Sequence, residues 1–177
     1  MHYLITGATG FIGRNILDQL LFLNVRITVL IRSHSKNKID INNKKVNYIL
    51  VDDLFDKNVS WWIDILNDID CVIHSAWYTV PNVYLNSEKN FECLRGSLTI
   101  LEAIRSSKVK FFVGLGTCFE YDFKFSNKPF KTSTPLNPKS PYTLSKVSLL
   151  NALKILQKTS DFNFAWCRVF YLYGLNE

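Results

Sequence analysis

The 177 residues of the chain, with a mass of 20.5 kDa, correspond to one domain of ordinary size. Hydrophobic residues make up 47% of the chain and charged residues 20%, with only seven glycines and five prolines, which excludes a disordered or low-complexity protein. The net charge of +6 comes from scattered lysines and arginines, Lys44-Lys45 apart, so no basic tract predicts nucleic-acid binding.

The beginning of the chain gives an expectation about location. The apolar segment Tyr3–Ile5 runs directly into Thr6-Gly7, with neither a basic leader nor a cleavage site. No stretch approaches the roughly 18 uninterrupted apolar residues of a membrane span. We therefore expect a cytoplasmic protein that does not cross a membrane.

The cysteine spacing argues against a metal or redox site. No CxxC pair occurs among the four cysteines, which are Cys71, Cys93, Cys118 and Cys167. We predict buried free thiols at these positions and no bound metal.

Alternating strands and helices predict the fold class. Short apolar runs rich in β-branched or aromatic residues predict buried strands at His2–Thr6, Arg26–Ile31, Val46–Val51, Cys71–Ser75, Lys110–Leu115 and Phe162–Phe170. Helical spacing of apolar residues predicts helices at Phe11–Leu23, Ser60–Asn67, Val83–Ser106 and Tyr142–Lys158. This order indicates a single α/β domain over residues 1–177, in which helices cover both faces of a parallel sheet.

Two connections depart from the alternation. Ser33–Lys45 is polar and lacks a predicted helix. Glu120–Pro141 contains four prolines and few periodic apolar positions, which predicts a long surface loop. Loops of this kind beside a sheet edge often hold substrate.

A glycine-rich turn follows the first predicted strand. Its residues are Thr6-Gly7-Ala8-Thr9-Gly10-Phe11-Ile12-Gly13, with GxxGxxG spacing. Gly7 permits a tight turn, Gly10 lets backbone N–H groups approach a pyrophosphate, and Gly13 allows the next helix to pack closely on the strand. Because the turn lies between a strand and a helix, it predicts a dinucleotide site.

The end of the second predicted strand bears on which dinucleotide binds. Sites for NAD usually have a carboxylate here, whereas this chain has Arg32, followed by His34, Lys36 and Lys38. A guanidinium matches the oxygens of a 2′-phosphate, so NADP is favoured and NAD remains the alternative. In the other interpretation, Arg32 is a solvated side chain that stacks on adenine and does not discriminate between NADP and NAD.

The third predicted strand ends in a pair of carboxylates, Asp52-Asp53. Asp53 could accept a hydrogen bond from the adenine amino group. Alternatively, it caps the short connection that follows.

A tyrosine and a lysine one helical turn apart, Tyr142 and Lys146, predict the catalytic pair. An ammonium group at this spacing, with a nicotinamide cation nearby, would lower the pKa of the tyrosine toward the working range. Tyr142 could then exchange a proton with a substrate oxygen while Lys146 holds the ribose hydroxyls. Thr117, at the end of the fifth strand, could donate to the same substrate oxygen; otherwise it is an ordinary strand-end threonine.

Taken together, these residues resemble the extended short-chain dehydrogenase/reductases, in particular the NAD(P)-dependent epimerase/dehydratase group that acts on nucleotide sugars. Seven blocks in the family's order carry the resemblance: TGATGFIG at 6–13, VDDL at 51–54, CVIHSAW at 71–77, GSLTILEA at 96–103, GTCFEYD at 116–122, SPYTLSK at 140–146 and RVFYLYG at 168–174.

The resemblance implies a Rossmann-type, doubly wound parallel sheet with strand order 3-2-1-4-5-6. It implies a catalytic set of Thr117, Tyr142 and Lys146. The cofactor contacts that it implies are Gly7, Thr9, Gly10, Phe11, Ile12, Gly13, Asp53, Leu54, Ser75 and Ala76, beside the catalytic pair. It also implies a role in polysaccharide synthesis and a homodimer formed through Val83–Ser106 and Tyr142–Lys158.

The chain departs from the family's pattern in the catalytic region. The asparagine of the family's NxxGT block, which completes a proton relay, is Cys93 here, so either the relay is dispensable or another group replaces it. The acidic residue of the family's 4,6-dehydratases is displaced by one position to Glu120, which disfavours a dehydratase. Epimerisation or 4-keto reduction of a nucleotide sugar remains.

The chain is also shorter than the family's members and ends at Gly174-Leu175-Asn176-Glu177, so a truncated substrate part is expected. An exposed apolar patch is expected where that part would pack. Four residues are candidates for the substrate side of the site: Trp77, Tyr78, Phe119 and Glu120. The alternative function is a non-catalytic dinucleotide-binding module that lacks the substrate domain.

Overall fold

The computed structural model describes residues 1–125 and 129–174. Its strands are β1 (His2–Thr6), β2 (Arg26–Arg32), β3 (Val46–Val51), β4 (Cys71–His74), β5 (Phe111–Thr117) and β6 (Asn163–Val169). Its α-helices are α1 (Phe11–Leu21), α2 (Val59–Leu66), α3 (Lys89–Ile104) and α4 (Pro141–Thr159). Short 3-10 helices lie at Ser33–Lys38, Tyr84–Asn86 and Cys118–Glu120.

The six strands form one parallel sheet in the order β3-β2-β1-β4-β5-β6. This confirms the predicted Rossmann-type order. Strands β1 to β3 are added toward one edge of the sheet and β4 to β6 toward the other, so the strand order reverses between β1 and β4. Ligands of open parallel sheets bind at the carboxyl edge beside such a switch point. The ends of β1 and β4 are in register there, with Thr6 opposite His74.

The core divides into one cluster on each face of the sheet. One face packs against α2, α3 and α4 around Trp62, Phe112 and Leu153, which are fully buried. The other face packs against α1 through Leu17 and Leu20. Burial on both faces explains why the central strands are continuously apolar.

The helix predicted over Val83–Ser106 is interrupted, and only Lys89–Ile104 forms α3. The Asn90 side chain donates to the Tyr84 carbonyl at 2.6 Å and to the Ser87 carbonyl at 2.8 Å. Hydrogen bonds from a side chain to these backbone carbonyls compete with the backbone hydrogen bonds of a continuous helix, so the chain turns before α3 begins.

The loop predicted over Glu120–Pro141 is held by a contact between its two described parts. Residues 126–128 of this loop and residues 175–177 at the end of the chain lie outside the described residues. Tyr121 pairs with Leu136 in an isolated antiparallel bridge. Four aromatic residues in this loop and after β6 are more than half exposed: Phe123, Phe125, Tyr171 and Tyr173.

The cysteine prediction is confirmed for Cys71, Cys93 and Cys118, which are free and buried, and is wrong for Cys167, which is exposed. Cys167 lies in β6, the last strand of the sheet, so this strand has a neighbour on one side only. Within residues 1–125 and 129–174, no helix has both the length and the apolar character needed to cross a membrane.

Candidate active site

The glycine turn brings the end of β1 against the end of β4. Gly7 has a φ of +77°, and a Cβ atom there would lie 2.5 Å from the Ala76 backbone nitrogen. A Cβ atom at Gly13 would collide with the carbonyl group of Gly7. Both glycines are therefore required by the close packing of β1, α1 and the segment after β4.

Gly10 differs from these two glycines because the protein leaves space beside it. An added Cβ atom would meet only the Gly7 carbonyl oxygen, at 3.4 Å, which is ordinary van der Waals contact. Gly10 also precedes α1, whose first turn has no side-chain cap. Uncapped N–H groups at an accessible helix terminus suit the oxygens of a pyrophosphate, so the turn fits the phosphates of a dinucleotide.

Several further residues of the cofactor prediction lie around this turn. Thr9, Phe11 and Ile12 are partly exposed at the turn. Ser75 Oγ donates to the Thr6 carbonyl at 2.7 Å and Ala76 N donates to the Thr6 hydroxyl at 3.3 Å. The segment after β4 is thus joined to the turn by both packing and hydrogen bonds.

The expected adenine end of the site is formed by the ends of β2 and β3. Arg32 is exposed and pairs in register with Val51, directly before Asp52-Asp53. Asp53 Oδ1 accepts a hydrogen bond from Phe55 N at 2.9 Å, which is the capping role considered above. Leu54 is buried in the core, so its side chain cannot serve as an accessible cofactor contact.

The predicted catalytic residues come together at the same edge of the sheet. Thr117 ends β5, while Tyr142 and Lys146 lie in the first turns of α4. Ser140 caps this helix by accepting from Thr143 N, and Pro141 is its first residue. The cap fixes where α4 begins and therefore directs Tyr142 toward the end of β5.

Burial sets the protonation of the catalytic pair. It raises the pKa of Tyr142, an effect to which Tyr84 and Glu120 add and which the Thr117 hydroxyl partly opposes. Burial lowers the pKa of Lys146 to about 7. Loss of hydration is the largest of the effects on the Tyr142 pKa. The lowering expected from the sequence also needs a nicotinamide cation near Tyr142, and it stays a prediction.

Lys146 faces an aromatic ring. Its Nζ lies 3.6 Å from the ring centroid of Trp77, just after β4, and 5.8 Å from that of Tyr142. Trp77 Nε1 in turn donates to Asn90 Oδ1 at 2.9 Å. Asn90 was not among the predicted site residues, although an asparagine one helical turn before Cys93 was a usable indication.

Cys93 occupies the position of the family's relay asparagine. Burial raises the pKa of its thiol to about 11, so the group is uncharged at neutral pH. A neutral thiol is a weak hydrogen-bond donor and a weak acceptor. It is thus a poor substitute for an amide in a proton relay.

Glu120 is structural, and its prediction as a substrate-side residue is wrong. Its side chain is 0% exposed. It accepts hydrogen bonds from Thr117 N at 2.9 Å, from Trp166 Nε1 at 3.1 Å and from Arg168 Nε at 2.7 Å. These bonds join the end of β5 to β6. Trp77, Tyr78 and Phe119 are all partly exposed and remain substrate-side candidates.

A buried histidine that was not among the predicted site residues lies beneath the glycine turn and joins the elements around the site. His74 ends β4 and contacts the Thr6 hydroxyl through Nδ1 and the Ser97 hydroxyl through Nε2, both at 2.9 Å. Burial and the charge of Lys146 lower the pKa of His74 to about 3. A neutral imidazole therefore links β1, β4 and α3.

The residues of this site include no cluster suited to a metal ion: within residues 1–125 and 129–174, no group of three or more His, Cys, Asp or Glu side chains could hold one. The site instead combines an accessible glycine turn with a Thr-Tyr-Lys set at the carboxyl edge of a Rossmann-type sheet. This combination is typical of dinucleotide-dependent enzymes.

Residues 3–177 match the NAD dependent epimerase/dehydratase family, and the chain belongs to this family. It is 25% identical over 185 residues to a dTDP-6-deoxy-L-talose 4-dehydrogenase (NAD(+)) of Aggregatibacter actinomycetemcomitans, an alignment that covers 98% of this chain and 62% of the relative. It is 26% identical over 182 residues to a UDP-glucose 4-epimerase of Lactobacillus helveticus, covering 100% of this chain and 53% of the relative.

Solved structures agree with this assignment. The UDP-glucose 4-epimerase of Thermus thermophilus in complex with NAD has a TM-score of 0.79 and 25% identity, covering 95% of this chain and 54% of that one. The UDP-glucuronic acid 4-epimerase of Bacillus cereus in complex with NAD has a TM-score of 0.80 and 22% identity, with coverage of 98% and 58%, and shows the shared fold. The chain thus spans between half and two thirds of the length of these relatives.

Proposed function

We propose that this chain carries the cofactor-binding and catalytic residues of a nucleotide-sugar 4-epimerase or 4-ketoreductase. The observation that supports this most directly is that Thr117, Tyr142 and Lys146 are neighbours: the Thr117 hydroxyl acts on the pKa of Tyr142, and Lys146 Nζ lies 5.8 Å from the Tyr142 ring centroid. Relatives named for C4 chemistry on dTDP- and UDP-sugars are consistent with it. A cytoplasmic location and a role in polysaccharide synthesis stay predictions from the sequence.

In the proposed reaction, Tyr142 is the acid/base. When bound, the nicotinamide dinucleotide supplies the hydride acceptor or donor. In reduction, the Tyr142 hydroxyl gives its proton to the C4 oxygen of the sugar; in oxidation, the Tyr142 phenolate takes the proton of the C4 hydroxyl. In both directions the Thr117 hydroxyl hydrogen-bonds the same oxygen. Lys146 would hold the ribose hydroxyls of the cofactor. Because burial raises the pKa of Tyr142, its protonated form is ready to donate to a 4-keto oxygen.

The cofactor is of the NAD(P) type, and we propose a preference for NADP from the position of Arg32. Its guanidinium is exposed at the end of β2, where the 2′ substituent of an adenosine ribose is bound in folds of this kind. The relatives' names and bound ligands refer to NAD, so NAD is the alternative.

Calorimetric titration of the wild type and of Gly10→Ala with NADP and NAD tests the cofactor site. The methyl group added at Gly10 is accommodated by the fold but would collide with a bound pyrophosphate. We expect this variant to lose tenfold or more in affinity for both nucleotides, about 1.4 kcal/mol. Arg32→Asp should weaken the affinity for NADP by at least the same factor and leave the affinity for NAD nearly unchanged. Equal losses for both nucleotides in Arg32→Asp would contradict the preference, and binding of neither by the wild type would contradict the cofactor site.

Turnover of a dTDP- or UDP-4-ketosugar with reduced cofactor tests the catalytic assignment. Tyr142→Phe removes the proton donor while keeping the ring, and we expect activity to fall by about 10²-fold or more. Nucleotide binding without turnover of any such sugar would instead support a non-catalytic dinucleotide-binding module.

A further inference from the structure

Lys146 is a buried lysine that packs against an aromatic ring. The side chain is only 4% exposed, and no ion pair within the part of the chain that the structure describes includes it. Its Nζ instead lies 3.6 Å from the ring centroid of Trp77, well inside the roughly 6 Å range of cation–π attraction. The ring thus favours the charged form, as does the buried carboxylate of Glu120.

Trp77 is itself held in place. Its Nε1 donates to Asn90 Oδ1 at 2.9 Å, and its ring meets that of Phe55 edge-on, with centroids 6.4 Å apart. Asn90 is fully buried, and its amide nitrogen is committed to the Tyr84 and Ser87 carbonyls. Trp77 therefore cannot turn away from Lys146 without leaving a buried amide oxygen unpaired.

The position of Asn90 is informative because Cys93, one helical turn later on α3, replaces the asparagine of the family pattern. A neutral thiol provides neither a strong acceptor nor a negative charge for the ammonium. The chain does provide an asparagine on the same helix, and a tryptophan bridges the distance between its amide and Lys146.

We propose that Trp77, held by Asn90, is the positioning residue that keeps the charged Lys146 side chain in place, and that this Asn90–Trp77–Lys146 arrangement takes over the support that Cys93 cannot give. The functional part of the proposal, that the ammonium is held ready for the cofactor ribose, rests on the proposed function. The structural part concerns this chain's own residues and can be tested without a nucleotide.

The test is NMR titration of the lysine side chains in the full chain, with Lys146 assigned by Lys146→Arg. In the wild type, the ε-protons of Lys146 should be shifted upfield by the ring current of Trp77. Trp77→Phe and Trp77→Leu form the decisive pair, because both open similar space and both lose the bond to Asn90, whereas only phenylalanine keeps an aromatic face. We expect the pKa of Lys146 to be lower in the leucine variant by about 0.5 to 1 unit, given the strength of cation–π pairs.

Trp61→Leu, on α2, controls for the loss of a tryptophan and should leave Lys146 unchanged. Equal Lys146 pKa values in Trp77→Phe and Trp77→Leu, or no upfield shift in the wild type, would overturn the proposal. Titration with NAD and NADP then separates the two hypotheses: a wild type that binds neither contradicts the proposed function, while the NMR pair still decides the role of Trp77.

Discussion

At the scale of single residues, the buried imidazole of His74 makes stability depend on pH. Its pKa is lowered from 6.5 to about 3, so between these values the unfolded chain takes up a proton that the folded chain does not. The stabilisation is complete above pH 6.5 and is lost as the pH falls toward 3. For one such group the loss at pH 4 is about 3 kcal/mol.

Urea unfolding at pH 7 and pH 4 measures this contribution. His74→Gln removes the titrating group and keeps a polar side chain. The unfolding free energy of the wild type should therefore fall by about 3 kcal/mol more between pH 7 and pH 4 than that of His74→Gln. The exposed His34 provides the matched control, because His34→Gln should behave as the wild type does. A His74→Gln variant with the wild-type pH dependence would show that His74 does not cause it.

Prediction at this scale works where a motif carries the chemistry and does not work where partners lie far apart in the chain. The spacing of Tyr142 and Lys146 indicates that both face the same way, which holds in the structure. Glu120 was misassigned because its partners, Trp166 and Arg168, follow 46 and 48 residues later. The local capping-box pattern Thr117-x-x-Glu120 predicts the bond from Thr117 N, but it does not predict burial of the carboxylate by these distant partners.

At the scale of elements, the packing of α1 on the glycine turn distinguishes two glycines that look equivalent in the sequence. Gly13→Ala should destabilise the protein by about 1–3 kcal/mol, because its new methyl group meets the backbone carbonyl of Gly7, which cannot move aside. Gly10→Ala should stay within about 1 kcal/mol of the wild type, since only a helix-cap preference changes. Thermal or urea unfolding of both variants checks this, and equal losses would contradict the described packing.

The buried pair Glu120–Arg168 joins the segment after β5 to β6. Arg168→Met would leave the Glu120 carboxylate buried without its cation, and we expect a loss of about 3 kcal/mol in unfolding free energy. Lys110→Met removes an exposed pair with Asp161 and should have a much smaller effect. Urea unfolding of both variants measures the difference. Comparable losses of unfolding free energy would show that the buried pair contributes no more to stability than the exposed pair.

The elements themselves were largely predictable, because buried parallel strands read as short apolar runs. All six strands and α1, α2 and α4 lie within a few residues of their predicted bounds. The interruption before α3 was not predicted, since apolar spacing does not reveal that the Asn90 side chain will bond to backbone carbonyls. The 3-10 helix at Ser33–Lys38 was missed because it lacks apolar periodicity.

At the scale of the whole molecule, α3 and α4 have outward faces that the domain does not cover. Phe91 and Leu98 on α3 and Leu144 and Ile155 on α4 are each between 40% and 60% exposed. The members of each pair lie seven and eleven residues apart, which places them on one helix face. This favours the homodimer expected from the sequence, built from two helices of each copy.

Sedimentation at micromolar concentration tests the dimer. We expect the wild type to sediment as a dimer and the double variant Leu98→Glu, Ile155→Glu to be a folded monomer, because carboxylates would have to be buried at the interface. Phe22→Glu alters an exposed apolar residue away from these helices and should remain dimeric. A monomeric wild type would contradict the assignment of this face.

The position of β1 at the centre of the sheet also determines the order in which the nascent chain can assemble. β1 is made first, yet its neighbour β4 begins only at Cys71, after β2 and β3 have been synthesised. The glycine turn cannot reach its final surroundings until Ala76 has emerged from the ribosome, and the catalytic residues follow later still. The proposed nucleotide site can therefore form only after the segment that follows β4 has been synthesised, as a consequence of topology.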